Sequence, residues 1–147
     1  MSIKVKAVDI RALKFATPAL MRDVANEVLT RQRVRITDGR GTQGQMRKYS
    51  PGYAKEKAAS GRQTGVRDLT WSGDMLAGRK VKEVTATTAR IGWDAGSGQA
   101  LKALGNEERT PFVKPTKEEK AAAIARYKVL LKKEIDQQMA RIRAAKR

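Results

Sequence analysis

The chain has 147 residues, with 32 lysines and arginines against 15 aspartates and glutamates, a formal charge of +17, no cysteine and no histidine. Without thiols there is no disulfide and no thiolate metal site. Without imidazole the usual general base near neutral pH, the commonest metal ligand and the partner of a serine or cysteine nucleophile are all missing. Catalysis is disfavoured from the start, and binding or assembly moves forward.

The length suits one domain spanning residues 1–147. Hydrophobic residues make up 40% and aromatic residues 5%, so the core must be built from aliphatic side chains, and part of the stability is expected from association. The positive surplus repels itself in an isolated chain and is eased beside a polyanion or an acidic partner. The bland alternative is a charge that only keeps the protein soluble. No apolar run approaches the ~18 residues of a membrane span. Met1 to Lys14 lacks the apolar block of a signal peptide, and a soluble intracellular product with no membrane contact is expected.

In chain order, Asp9 is positioned to cap a short turn carrying Ile10 and Leu13. Thr17-Pro18 reads as an N-cap and first helical residue. Leu20, Met21, Val24, Val28 and Leu29 then share one helical face to about Arg35, before the Asp38-Gly39 turn. Residues 37–48 are polar and glycine-rich and predict a flexible basic loop. Ser50-Pro51 opens a short helix with Tyr53, Ala54 and Ala58, and residues 60–67 predict a second flexible loop.

Leu69-Thr70-Trp71 reads as a short strand, and Ser72-Gly73-Asp74 as a turn toward Met75 and Leu76. Arg79–Thr85 and Thr87–Trp93 alternate as an antiparallel hairpin. Gln99–Leu104 predicts a short helix ending at Gly105-Asn106. Thr116 and Glu119 have the spacing of a capping box. Behind them Ile124, Tyr127, Leu131, Ile135, Met139 and Ile142 form the stripe of a helix over about 116–144, roughly seven turns long. Arg141, Arg143, Lys146 and Arg147 complement the dipole at its C-terminus. The turns from Ile135 onward exceed what a compact domain needs and are expected to meet a neighbour. The class is α+β: long N-terminal and C-terminal helices packed on a small antiparallel sheet, with flexible basic loops.

Gly39-Arg40-Gly41-Thr42-Gln43-Gly44 matches G-x-G-x-x-G, but a helix precedes it where dinucleotide binding requires a strand. A flexible basic loop is the better reading. Asp68, Asp74 and Asp94 sit at turns, where aspartate commonly bonds nearby backbone N–H groups, and they form no catalytic pair. No catalytic residue, cofactor or metal is expected.

Tyr49-Ser50-Pro51-Gly52-Tyr53-Ala54-Lys55-Glu56-Lys57, followed by Asp68-Leu69-Thr70-Trp71-Ser72-Gly73-Asp74-Met75-Leu76, resembles the neck and tail-completion proteins of tailed bacteriophages. Lys102-Ala103-Leu104-Gly105-Asn106, then Arg109-Thr110-Pro111-Phe112-Val113 and the helix from Thr116 to Ile142, are similar to later elements of that family, in the same order. Together the similarity covers roughly residues 18–140. Trp71 stands where the family has a smaller residue, and Val113-Lys114 replaces a leucine-glycine, which leaves the branch open among neck, tail-terminator and tail-completion factors.

The resemblance implies a virion protein assembled in the host cytoplasm. It would be one copy of a ring, six- or twelve-fold, between the head connector or adaptor and the tail tube or terminator, near the channel through which DNA passes. Under it Trp71, Met75, Leu76, Phe112, Ile135 and Met139 are expected in packing or subunit interfaces. Arg40, Arg47 and Arg62 are expected as loop contacts to a partner or the DNA lumen. Two alternatives stand beside it. One is a small basic nucleic-acid-binding protein, weakened because aromatics are not interleaved with the basic residues as a stacking platform requires. The other is a phage nuclease, which would need a carboxylate-bound metal.

Overall fold

The computed structural model describes residues 2–4 and 15–145. The turn expected at Asp9, Ile10 and Leu13 lies outside them, as do Lys146 and Arg147. The chain is α+β. The helices among the described residues are α1 (Pro18–Thr37), α2 (Pro51–Ala59), α3 (Asp74–Ala77), α4 (Gly98–Arg109) and α5 (Lys117–Ala145). The strands are β1 (Ser2–Lys4), β2 (Arg40–Gly41), β3 (Gly44–Gln45), β4 (Lys80–Val84) and β5 (Thr88–Gly92).

Helix α1 starts where Thr17 Oγ1 accepts the Leu20 N–H at 3.1 Å and Pro18 fills the first turn. Its inner face, Leu20, Met21, Val24, Ala25, Val28 and Leu29, is covered on one side by Ala89 and Ile91 of β5 and on the other by Ala123 and Tyr127 of α5. Burying aliphatic side chains of this kind contributes ~1.5–3 kcal/mol each. β5 is the centre of an antiparallel sheet ordered β1-β5-β4, with Val81 opposite Ile91 and an irregularity between Val81 and Val84.

A second cluster lies at the C-terminal end of α1, where Ile36, Met46, Met75, Leu76, Ala103 and Phe112 pack together. Residues 37–48, expected as a loose loop, instead hold the small β2–β3 hairpin, with Arg40 opposite Gln45. The hairpin sits tightly on the segment before α5. Thr42 N–H donates to Pro111 O at 2.7 Å, and a Cβ on Gly41 would lie 2.6 Å from that same oxygen. Met46 is buried at its exit. Short strands and small residues hid this hairpin, because two-residue strands carry no readable alternation.

Three further expectations need correction. Leu69-Thr70-Trp71 is irregular rather than a strand, because Leu69 takes a left-handed φ of 54°. Helix α4 continues through Gly105 and Asn106 to Arg109. On α5 the buried positions are Glu119, Ala123 and Tyr127, whereas Ile124 is 48% exposed and Met139 is 42% exposed. The helix is rotated so that a small alanine, and not the neighbouring isoleucine, meets α1. Alanine lets the two helix backbones approach closely.

Candidate functional site

The segment joining α2 to α3 is organised by charges with little access to water. Pro51 occupies the first turn of α2, and Lys57, half a helix later, is 1% exposed. Its ammonium donates to Asp68 Oδ1 at 2.7 Å and to the Tyr49 hydroxyl at 3.2 Å. Tyr49 donates to the same carboxylate oxygen at 2.8 Å, the Thr70 N–H at 3.0 Å, and Gln63 donates to the other oxygen.

Burial alone would raise the Asp68 carboxyl. The hydrogen bonds from Lys57, Thr70 and Gln63 outweigh it and hold the group well below the usual carboxylate range. Burial and the adjoining Asp68 push the Tyr49 phenol upward. The Thr70 bond spans Leu69, whose left-handed φ of 54° is of the kind that costs ~1–3 kcal/mol.

A second buried ion pair, Arg35 Nε to Glu119 Oε1 at 2.7 Å, ties α1 to the start of α5. Arg35 also donates to the carbonyls of Arg40, Phe112 and Lys114. Beside it Arg79 is 1% exposed, donates to Val113 O at 2.9 Å and lies 5.2 Å over the Trp93 ring. Its Nε and Nη1 have no partner. Burial first, then the charge of Arg35, lowers its pKa to about 10, so it remains a cation at neutral pH.

Above the Lys57 network an open groove of about 540 Å³ runs between α2 and α4. Tyr49, Tyr53 and Trp71 line it as a chain of tilted rings, with centroids 4.8 and 5.5 Å apart. Arg67, Lys102 and Arg109 supply its cations and Glu56 its carboxylate. Arg62 lies just outside: its Nε donates to Trp71 O and its guanidinium sits 5.1 Å over the Trp71 ring.

A larger groove, about 830 Å³, lies between α1, the β2–β3 hairpin and the start of α5. There Arg31, Arg40 and Lys117 are interleaved with Glu27, Glu118 and Glu119. Arg31 is already paired to Glu27 at 2.6 Å and Arg35 to Glu119. Its charges largely cancel, so it offers little to an anion.

The structure brings Trp71, Met75 and Arg62 to one place, because Met75 also lines the smaller groove. Leu76 and Phe112 are buried in the second core cluster and serve packing within the chain. Arg40 is exposed beside the larger groove, bonded to Asp38 at 3.2 Å, and Arg47 is exposed outside both grooves. Ile135 and Met139 stand on α5, half-buried and exposed respectively. The Asp74 carboxylate accepts from the Ser72 hydroxyl at 2.6 Å and Asp94 pairs with the ammonium groups of Lys80 and Lys82, whereas the backbone N–H bond expected of a turn aspartate is made by Asp68, from Thr70. Sequence reasoning missed Lys57, Arg67 and Asp68 as an assembly, and only the Tyr49–Lys57 helix motif offered a signal. Among the described residues no cluster of three or more acids fit to hold a metal occurs, and no helix is long and apolar enough to cross a membrane.

Compared with protein-family models, curated proteins and solved structures, the chain gives no match. The functional reading therefore rests on the sequence motifs, the net charge and the exposed surface of the fold.

Proposed function

We propose that the chain is a structural virion subunit of a tailed phage: one copy of a ring at the head–tail junction, as neck, tail-completion or tail-terminator protein. It acts without catalysis, by being fitted between the head connector and the tail. In this reading the two long helices and the small sheet are the body of the subunit, and the basic loops are its contact regions.

The observation that supports assembly is the uncovered side of α5. Beside the residues that pack on α1, the helix carries exposed Ile124 and Met139, with half-buried Ile135 between them. This apolar strip flanks the packed face, and single scattered apolar residues would need no such account. The ordered phage-like motifs support the virion assignment, and the +17 charge suits a channel that carries DNA.

Native mass spectrometry of the purified protein, alone and mixed with candidate connector and tail-tube subunits, tests it. A closed ring is expected, alone or on mixing, and Ile124→Asp should abolish it without unfolding the monomer. A persistent monomer in every mixture removes the proposal. The second reading, a small basic nucleic-acid-binding protein, draws on the charge alone. It gains if that monomer binds naked DNA with an affinity falling steeply with salt.

A further inference from the structure

We propose that the groove between α2 and α4 is a docking site for an acidic segment of a partner protein, anchored by one or two apolar side chains. This goes beyond the ring reading and stands whether or not the chain is a virion subunit.

Charge complementarity carries it. The groove sets three cations, Arg67, Lys102 and Arg109, against one carboxylate, Glu56. Its apolar part is formed by exposed Trp71 and half-buried Leu69, floored by Met75 of the second core cluster. Trp71 remains 39% exposed although it is one of only two tryptophans. Large aromatics left at the surface of a concave, cation-rimmed site are the usual anchors of protein recognition.

Two polar atoms of lining residues support a polypeptide as the occupant. Arg67 Nε is a buried donor without a partner, while Arg67 Nη1 is held by Thr110 Oγ1 at 3.2 Å. Gln99 Oε1 is a buried acceptor without a partner. Both residues line the groove, and the proposed occupant offers a carboxylate or carbonyl that can accept from Arg67 and a backbone N–H that can donate to Gln99. A buried polar atom left unpaired costs ~1–3 kcal/mol, so satisfying both favours the bound state.

Nucleic acid fits less well. The Trp71 ring already has the Arg62 guanidinium over it and Tyr53 tilted at 55° against it, so it offers no open stacking platform. The unpartnered Gln99 oxygen needs a donor, which a polypeptide backbone supplies along its length and a phosphodiester backbone does not.

The test uses the full chain and a fluorescein-labelled ten-residue peptide of aspartate and glutamate with one leucine and one phenylalanine. Fluorescence anisotropy follows binding in 150 mM salt. Two further probes are a peptide of equal charge with glycine in place of the apolar residues, and a ten-nucleotide oligo-dT. The first peptide should bind, and loss of its apolar residues should weaken it about tenfold, as removal of a central anchor does. Lys102→Glu with Arg109→Glu, both exposed, should weaken it by about tenfold or more. Arg22→Glu, exposed on α1, should leave it unchanged. Trp71→Ala provides an independent arm should the reversals disturb α4, with circular dichroism melting as the folding control. Equal weakening by Arg22→Glu, indifference to the apolar residues, or oligo-dT displacing the peptide would each overturn the proposal.

Discussion

Lys57 shows how much a single side chain carries here. It is a cation with almost no contact with water, and its partner Asp68 accepts three further donors. Replacing it by methionine keeps the volume but leaves a buried carboxylate without its counter-charge, which costs ~3–5 kcal/mol. Urea unfolding at pH 7 should register that loss. The pH dependence gives the cause. Asp68 is depressed in the fold, so its contribution is fully present above the unfolded carboxyl value of about 3.9 and fades as pH falls below it. The stability gap between wild type and Lys57→Met should therefore shrink on acidification from pH 5 toward pH 2. A gap that stayed constant would mean that Lys57 serves packing and not the carboxylate. Within the Tyr49–Lys57 motif nothing singles out Lys57, because a lysine in the run Lys55-Glu56-Lys57 reads as a solvated face. Burial of the charge depends on Tyr49 and Asp68 arriving from outside the helix.

At the scale of elements, ends were more legible than faces. Thr17-Pro18 capped α1 as its residue types require. Thr116 and Glu119 close their capping box reciprocally, Glu119 N–H to Thr116 Oγ1 at 3.2 Å and Thr116 N–H to Glu119 Oε2 at 2.8 Å. The same glutamate also binds Arg35 through its other oxygen, which no local pattern foretells. Caps are local chemistry and can be read from four residues, whereas the rotational phase of α5 is set by α1 and cannot. Periodicity placed Ile124 and Tyr127 on one stripe, and an apolar arc this wide lets the helix settle with Ala123 inward. Helix α5 has 29 residues and α1 has 20, a difference of ~14 Å at 1.5 Å per residue. Truncation after Glu134 removes a half-buried Ile135 and an exposed Met139 but leaves Ala123, Tyr127 and Leu131 on α1. We expect the melting temperature to fall by only a few degrees while the oligomer dissociates in sedimentation velocity. A truncated chain that kept its oligomer would show that the outer turns serve no neighbour.

For the whole molecule the deciding quantity is the charge, and two effects of salt oppose each other. Among the described residues six exposed or part-exposed ion pairs, from Arg31–Glu27 to Lys132–Asp136, lose strength on screening, at about 0.2–1 kcal/mol each when intact. The +17 surplus acts the other way. Folding confines it within a radius roughly a third to a half of the unfolded chain's, so self-repulsion is larger in the folded state. Raising salt from 0.01 to 0.15 M cuts the Debye length from about 30 Å, comparable with the whole fold, to about 8 Å. The released repulsion is on the order of several kcal/mol, against a fraction of the ion-pair total, since neighbours in contact lie well inside even the shorter length. The Lys57–Asp68 and Arg35–Glu119 pairs are buried and nearly immune to salt. Added sodium chloride should therefore raise the melting temperature of the dilute monomer by several degrees. An acidic peptide in the α2–α4 groove should add to that rise at constant ionic strength by binding only the folded chain. A melting temperature that falls with salt would mean that the surface pairs, and not the unmatched cations, govern this protein's stability. The drive to join an acidic partner would then lose its physical basis.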